Sequence, residues 1–388
     1  MRYLCSDAGK LACDEVARYR LTGSTLVADI ASARKLFAER AAVVVETVML
    51  RRKAVAKFAD AADVSEWLFT DEALQQATAG RVAEHRARRL AGVSVHDATC
   101  SVGTELVALR NWADVVVGSD IDPVRLAMAN HNLGLGGDSV TLCRADALRP
   151  VTADAVVVVD PARRSGSKRR FDPRAYLPPL DRLLEVLRTR DYVVKCAPGV
   201  DFAVLRQLGF EGEVEVTSLA GSVREACLWS RGLADTASVR RRATMLDTSE
   251  QITDADPDEC GVGPAGRWIV DPDGAVVRAG LVRHYGARHG LWQLDRDIAY
   301  LSGDRLPDGV RGFEVLEQLA FSERTLRQVL AARAVGALEI LVRGVDIDPD
   351  ALRSRLRLRG TEHVSVVLTR LGSGAASRAT AFICRPSR

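Results

Sequence analysis

The sequence predicts an α/β protein in three parts: a doubly wound, mostly parallel seven-stranded sheet, an N-terminal helical region before it, and a small α+β domain after it. Three observations carry this. From about residue 91 to 239, short apolar runs alternate with amphipathic stretches, the pattern of parallel strands covered by helices on both faces. Residues 1–90 hold Ala, Leu, Arg and Glu at helical spacing and few strand-like runs. A polar segment at 240–266 precedes a strand–helix pattern over 267–388. A chain of 388 residues, 47% hydrophobic and 27% charged, has the size and composition of a multi-domain globular protein.

Taken in order, STLVADIASARKLFAER and DEALQQATAGRVAEHRARRL read as helices, with Ser24 and Asp71 as their N-caps. The seven strands are VSVHD, DVVVGSD, VTLCRAD, DAVVVVD, DYVVKCA, EVEVTSL and EACLWSR. Residues 240–266, rich in Asp, Thr, Pro and Gly, read as a linker. Beyond it, 312–321, 338–342, 363–371 and 380–384 read as strands, and 322–335 and 348–358 as the helices between them, close to a ferredoxin-like unit.

Net charge is only +3, from 54 basic and 51 acidic residues, so the whole-chain balance does not point to a nucleic-acid partner and local patches must. The cysteines (Cys5, Cys13, Cys100, Cys143, Cys196, Cys227, Cys260, Cys384) form no CxxC pair and the six histidines no ligand spacing, so no metal site is expected. The start of the chain has no apolar signal core, and no apolar run approaches the ~18 residues of a membrane span, so a cytoplasmic protein with reduced thiols is expected.

The chemistry concentrates at strand ends. In VSVHDATCSVGTELVAL a strand ends in Asp97, small residues make a tight turn, and a helix starts near Gly103. Such a turn brings the backbone close to a ligand. It is glycine-poor, because Ser101 stands where a first Gly is usual, and Ser fits there if its φ is negative. The next three strands end in GSDIDP, RADA and VDPARR, so Asp97, Asp120, Asp146 and Asp160 close four successive strands. One strand-end Asp is well explained as the N-cap of the following turn. Four in register instead mark the carboxyl edge where open α/β sheets bind ligands.

These motifs, DATCSVG, GSDIDP, RADA and VDPAR, resemble those of Rossmann-like, class I S-adenosylmethionine-dependent methyltransferases. The turn is similar to DPFCGTG of the RNA-modifying branch that carries THUMP domains. RWIVDPDGAVVRAG and ILVRGVDIDPDALRSRL resemble bacterial methyltransferases with a THUMP-like C-terminal domain. FTDEALQQATAGRVAEH is similar, more weakly, to the stretch before the first motif of trimethylguanosine synthases.

The resemblance implies a transferase with S-adenosylmethionine as cofactor. It places Asp97 and Gly103, with Thr99 and Cys100 of the same turn, at the methionine end. Asp120 falls at the ribose, Ile121 on the adenine, and Asp146 with Ala147 at the adenine amine.

The fourth-strand loop sets the reaction. Nitrogen methyltransferases of this class carry Asp or Asn, Pro, Pro and an aromatic there, and accept hydrogen bonds from the target amine. Here the loop is Asp160-Pro161-Ala162-Arg163, and Arg163 stands where the aromatic would stack. The DPPR form of RNA uracil-5-methyltransferases accompanies a nucleophilic Cys on the fifth strand, where this chain has Cys196 in KCAP.

Two routes are therefore open: direct transfer to a base nitrogen at Asp160, or attack of Cys196 on a pyrimidine; a buried strand thiol is the plainer reading of Cys196. The run RRSGSKRR (163–170) is cationic at five of eight positions, and its Arg164, Lys168, Arg169 and Arg170 are expected to contact phosphate. Arg343, Arg353, Arg355, Arg357 and Arg359 form a second cluster, equally readable as a solvated helix face. The expectation is thus a methyltransferase of tRNA or rRNA, with a small-molecule or protein methyltransferase, or an RNA binder without cofactor, as alternatives. Oligomeric state is not legible.

Overall fold

In the computed structural model every residue is described except 59–62, 135–139, 163, 166–167, 170–171, 235, 237 and 373. Arg163 and Arg170 therefore lie outside the described residues. The chain divides into two compact units, Met1–Glu213 with Arg224–Asp235, and Val214–Val223 with Thr236–Arg388.

The first unit opens with three helices, α1 (Asp7–Ala17), α2 (Leu26–Phe37) and α3 (Ala41–Phe58). Ser6 caps α1 by accepting from the Gly9 N–H, satisfying a donor that the first helical turn cannot pair. The N-cap of α2 is Thr25 rather than Ser24. Two short helices follow, α4 (Asp71–Gln76) and α5 (Gly80–Arg89). Thr70, not Asp71, caps α4, its hydroxyl accepting from the Ala73 N–H; Asp71 takes the first helical position, where a negative charge is also favoured.

The N-terminal helices share one apolar core with the sheet, Val44, Val48, Phe58, Trp67, Leu68 and Phe69 packing in the same cluster as Val95, Leu106, Val158 and Trp229. The buried Asn132 carboxamide fastens this junction. Its Oδ1 accepts from the Leu68 N–H (2.8 Å), and its Nδ2 donates to the carbonyls of Leu68 (3.0 Å) and Val102 (2.9 Å).

The sheet then builds strand by strand: β1 (Ser94–Asp97), α6 (Thr104–Leu109), β2 (Val115–Asp120), α7 (Pro123–Gly134), β3 (Val140–Arg144) and β4 (Val156–Val159). A short antiparallel ribbon, β5 (Arg164–Ser165) with β6 (Lys168–Arg169), follows. Then come α8 (Leu180–Val186), β7 (Tyr192–Cys196), α9 (Phe202–Gln207), β8 (Glu213–Leu219) and β9 (Ser222–Trp229), so all seven predicted strands form. Within this unit the order is β9-β7-β4-β1-β2-β3. β1 pairs in parallel with β2 and β4, β4 with β7, and β2 with β3, while β9 runs antiparallel to β7. The chain leaves β1 toward β2 and β3, then returns to place β4 on the other side. That reversal is the topological switch point where α/β sheets open a crevice at their carboxyl ends.

In the second unit β8 pairs in parallel with β10 (Arg241–Met245), which pairs antiparallel with β11 (Glu250–Thr253). The expected linker at 240–266 thus contains two strands. Polar residues hide them in the sequence: Arg242 and Thr244 are buried on β10 because Gln251 and Glu215 of the neighbouring strands accept their hydrogen bonds. Next come β12 (Trp268–Val270), α10 (Gly274–Ala279), α11 (Val282–His289), β13 (Trp292–Asp295) and β14 (Ile298–Gly303). The predicted C-terminal elements appear as β15 (Gly312–Ala320), α12 (Glu323–Ala332), β16 (Val335–Arg343), α13 (Pro349–Leu356), β17 (Glu362–Leu371) and β18 (Arg378–Pro386). They join a seven-stranded sheet, β13-β14-β12-β15-β18-β17-β16. The sequence β-α-β-α-β-β, with β16 and β17 parallel, differs from the β-α-β-β-α-β of a ferredoxin-like unit.

Candidate active site

The site is built at the carboxyl ends of β1, β2, β4 and β7, within the first unit. The turn after β1 is held by its own polar groups. Asp97 is buried at 3% exposure, and its Oδ1 accepts from the Thr99 N–H (3.0 Å). The Cys100 N–H donates to the Ser119 carbonyl (2.9 Å), and the Gly103 N–H to the Cys100 carbonyl (2.8 Å). Gly103 has φ +87°, and a Cβ there would stand 3.3 Å from the Ala129 Cβ. Ser101 departs from expectation: its φ is +52°, in the left-handed region, not negative. What holds it there is its N–H, which donates to Asp120 Oδ2 at 2.9 Å. The strained backbone, a cost of about 1 kcal/mol, is thus tied to the β2 carboxylate.

Asp120 is largely buried, and its Oδ1 accepts from the Asp122 N–H (2.9 Å). Each carboxylate oxygen has two lone-pair directions, so both keep capacity for hydroxyl donors. Ile121 beside it is 64% exposed, an apolar surface beside a polar anchor. Asp146 is exposed, and its Oδ1 accepts from the Leu148 N–H (2.9 Å); Ala147 next to it is buried.

Asp160 ends β4 with its side chain 29% exposed. Its backbone N–H donates to Thr99 Oγ1 at 2.7 Å, which joins the β4 loop directly to the β1 turn. Its Oδ2 lies 2.6 Å from Lys195 Nζ. Pro161 is buried, and Ala162 pairs with Leu177 through two backbone hydrogen bonds.

Lys195, on β7 and 7% exposed, also donates to Thr78 Oγ1 at 2.5 Å and lies 3.7 Å from Glu105 Oε2. Beneath it, buried Arg86 of α5 pairs with Glu105 (Nε to Oε1, 2.8 Å) and with Glu225 of β9. Sequence reading had passed over Lys195 and weighed its neighbour. The available signal was a lone Lys inside the apolar run DYVVKCA, which strand alternation must turn to the face opposite Cys196.

Charge balance explains the titration of this cluster. Asp97, Glu105, Glu225 and Asp160 outnumber Lys195 and Arg86. Burial, then the nearby Glu105, pushes the Asp97 carboxyl up to about 7. Burial would raise Glu105 too, but the Arg86 and Lys195 cations hold it below its ordinary value. Burial works against the Lys195 ammonium, yet Asp160 and Glu105 outweigh it and keep it charged well above the usual lysine range.

The other predicted residues fall as follows. Cys196 is fully buried on β7, its residue register-paired with Ala226 of β9. Cys100 is buried under the turn, and burial, then Asp97, raises its thiol far above the ordinary range. Arg164, Lys168 and Arg169 lie on the β5–β6 ribbon, with Arg164 opposite Arg169 in its register. In the second unit Arg343 pairs with Asp271, Arg353 with Asp350, and Arg355 with Glu323, while Arg357 and Arg359 line, with Arg327, a groove of about 860 Å³. His96 is buried between Ser119 and Thr152, and burial lowers it to about 4, so it is a neutral core group. Among the described residues no group of three or more His, Cys, Asp or Glu is placed to hold a metal ion, and no helix is long and apolar enough to cross a membrane.

A doubly wound sheet with acidic residues closing β1, β2 and β4 at its switch point defines a Rossmann-like binding fold for a nucleoside-containing ligand. Residues 310–386 match the family model described as THUMP domain-like. Two proteins of Mycobacterium tuberculosis, from strains CDC 1551 and H37Rv, are each 67% identical over 358 residues. The match covers 92% of this chain and the whole of each relative, and both are named uncharacterized S-adenosylmethionine-dependent methyltransferases. The crystal structure of a putative methyltransferase from Porphyromonas gingivalis W83 has the same fold, with a TM-score of 0.72 at 18% identity, over 94% of this chain and 99% of that one. The chain belongs to the S-adenosylmethionine-dependent methyltransferases. The acceptor groups fit that cofactor: carboxylates with spare acceptor capacity at Asp120 and Asp146, and the exposed apolar Ile121 next to Asp120 in the chain.

Proposed function

We propose that this protein methylates a base nitrogen of a structured RNA, tRNA or rRNA, by direct transfer at Asp160. The observation that carries the reading is the double attachment of Asp160. Its backbone is bonded to Thr99 of the cofactor turn, and its carboxylate is held by Lys195. An acceptor nitrogen bonded to this carboxylate therefore lies against the turn that presents the methyl group.

In this reading Asp97, Thr99, Cys100 and Gly103 shape the methionine end, Asp120 takes the ribose hydroxyls, Ile121 packs on the adenine, and Asp146 with Ala147 meets its amine. The bound cofactor supplies an electrophilic methyl on sulfur. Asp160 accepts the N–H of the target nitrogen and aims its lone pair, and positioning then supplies most of the rate. Pro161 stiffens the backbone behind it. A neutral acceptor suits this site, because the Lys195 ammonium already sits 2.6 Å from Asp160 Oδ2 and an alkylammonium substrate would bring a second cation against it. Ring nitrogens and exocyclic amines of bases are neutral; lysine side chains are not.

An RNA substrate is supported by the cationic run at 163–170, by the resemblance of DATCSVG to the RNA-modifying branch, and by the THUMP domain-like match. Asp160→Asn keeps the shape and removes the charge. It is expected to lower kcat on hypomodified total RNA by about 100-fold or more while leaving cofactor affinity within about threefold. Unchanged kcat in that variant overturns the role of Asp160.

A further inference from the structure

The family resemblance assigns no role to the buried ammonium of Lys195, the first residue of KCAP, yet it reaches three elements at once. It meets Asp160 Oδ2 of the β4 loop at 2.6 Å, Thr78 Oγ1 of the α4–α5 loop at 2.5 Å, and Glu105 Oε2 of α6 at 3.7 Å. An ammonium has three N–H donors, and three acceptors surround this one. Two of the donors are taken by Asp160 and Thr78, the third faces Glu105 at ion-pair distance, and at 7% exposure the ammonium is buried. Its effect on an acceptor molecule must pass through Asp160.

We propose that Lys195 is a positioning residue for methyl transfer, fixing the Asp160 carboxylate in one orientation and coupling it through Thr78 to the N-terminal helices. The proposal rests on the reading of Asp160 as the group that receives the substrate N–H. Two features make it more than a buried ion pair. First, Lys195 is the only one of the two cations in the cluster that touches Asp160; Arg86 bonds Glu105 and Glu225 instead. Second, Thr78 sits in the ATAG connection between α4 and α5, which places the geometry of the catalytic carboxylate partly under control of the N-terminal region. That gives residues 70–89 a task in the reaction besides packing.

The charged groups around Lys195 are Asp160 on the β4 loop, Glu105 on α6, Arg86 on α5, Glu225 on β9, Asp97 on β1 and Lys57 on α3. The Lys195 cation lowers both Asp97 and Glu105, so its removal makes protonation of these two carboxylates easier. The acid limb of kcat must then move to higher pH, which loss of packing alone does not do.

The test compares Lys195→Gln, Lys195→Arg, Thr78→Val and Asp160→Asn in the full chain, with labelled methyl transfer to hypomodified total RNA, cofactor titration and thermal melting. Lys195→Gln is expected to lose about 100-fold in kcat, with the acid limb raised by about one pH unit and cofactor affinity within about threefold. Lys195→Arg keeps the charge and is expected to retain about a tenth of wild-type kcat with the acid limb in place. Thr78→Val is expected to lower kcat several-fold at unchanged KM.

Retention of wild-type kcat by Lys195→Gln, or equal loss in the Gln and Arg variants with no shift of the limb, overturns the proposal. Should Lys195→Gln fail to fold, the Arg and Thr78→Val variants decide it, and unchanged kcat in Thr78→Val counts against it. The two readings separate cleanly. Asp160→Asn at full activity removes the role of Asp160 itself, whereas an inactive Asp160→Asn beside a fully active Lys195→Gln removes only that of Lys195.

Discussion

Asp97 shows how one buried group sets a pH dependence. Its carboxyl is raised to about 7 by burial and by Glu105. Between its ordinary value near 4 and 7 the folded protein holds a proton that the unfolded chain releases, so this group's contribution to stability falls as pH rises through that window. With Asp97 at the methionine end, as proposed, cofactor binding is expected to run the other way, because the cationic amine calls for the ionised carboxylate. Cofactor affinity, followed by calorimetry, is expected to tighten from pH 6 to about 7.5. Asp97→Asn should flatten that profile and raise the melting temperature of the cofactor-free protein at pH 8. A wild-type affinity independent of pH in this range contradicts the assignment. Cys196 gives the opposite expectation. It is fully buried on β7, so Cys196→Ser should keep kcat on RNA within about threefold and form no covalent adduct. Loss of transfer in that variant would instead bring back attack on a pyrimidine.

Among the elements, the helices of the N-terminal region are held to the sheet by a few polar groups that sequence patterns do not reveal. Asn132 of α7 makes three hydrogen bonds to Leu68 and Val102, and Arg86 of α5 joins Glu105 of α6 to Glu225 of β9. Asn132→Ala leaves one donor and two acceptors buried without partners and should cost about 3 kcal/mol or more, read as a fall in denaturation midpoint. Arg86→Met strands two buried carboxylates, with an expected loss of about 3–5 kcal/mol.

The strands and the acidic strand ends were legible because each is a local signal: a short apolar run, closed within a residue or two by its own Asp97, Asp120, Asp146 or Asp160. Lys195 with Thr78, 117 residues apart, was not, since nothing local marks a lysine whose partners arrive from distant elements. Ser101 was misjudged for a related reason: its left-handed φ is held by Asp120, nineteen residues on. The strands β10 and β11 were missed because polar, turn-forming residues dominate that segment, and β8, on which β10 pairs, lies earlier in the chain.

For the whole molecule, a net charge of +3 conceals uneven use of that charge. Arg343, Arg353 and Arg355 pair with carboxylates, while the run at 163–170 gathers five cations in eight positions directly after the VDPA motif in sequence. Replacing Arg169 and Arg170 with Gln should weaken RNA binding and reduce the slope of log affinity against log salt by about one to two units. An unchanged slope removes this run from the RNA contact.

The central claim, methyl transfer to a base nitrogen in RNA, is tested most directly by incubating the protein with labelled S-adenosylmethionine and hypomodified total RNA, beside DNA and protein controls. The labelled nucleosides are then identified by mass spectrometry. The account predicts label on an exocyclic amine or ring nitrogen of an RNA base, abolished by Asp160→Asn. Label on a pyrimidine C5, or no label in RNA from protein that still binds the cofactor, contradicts it.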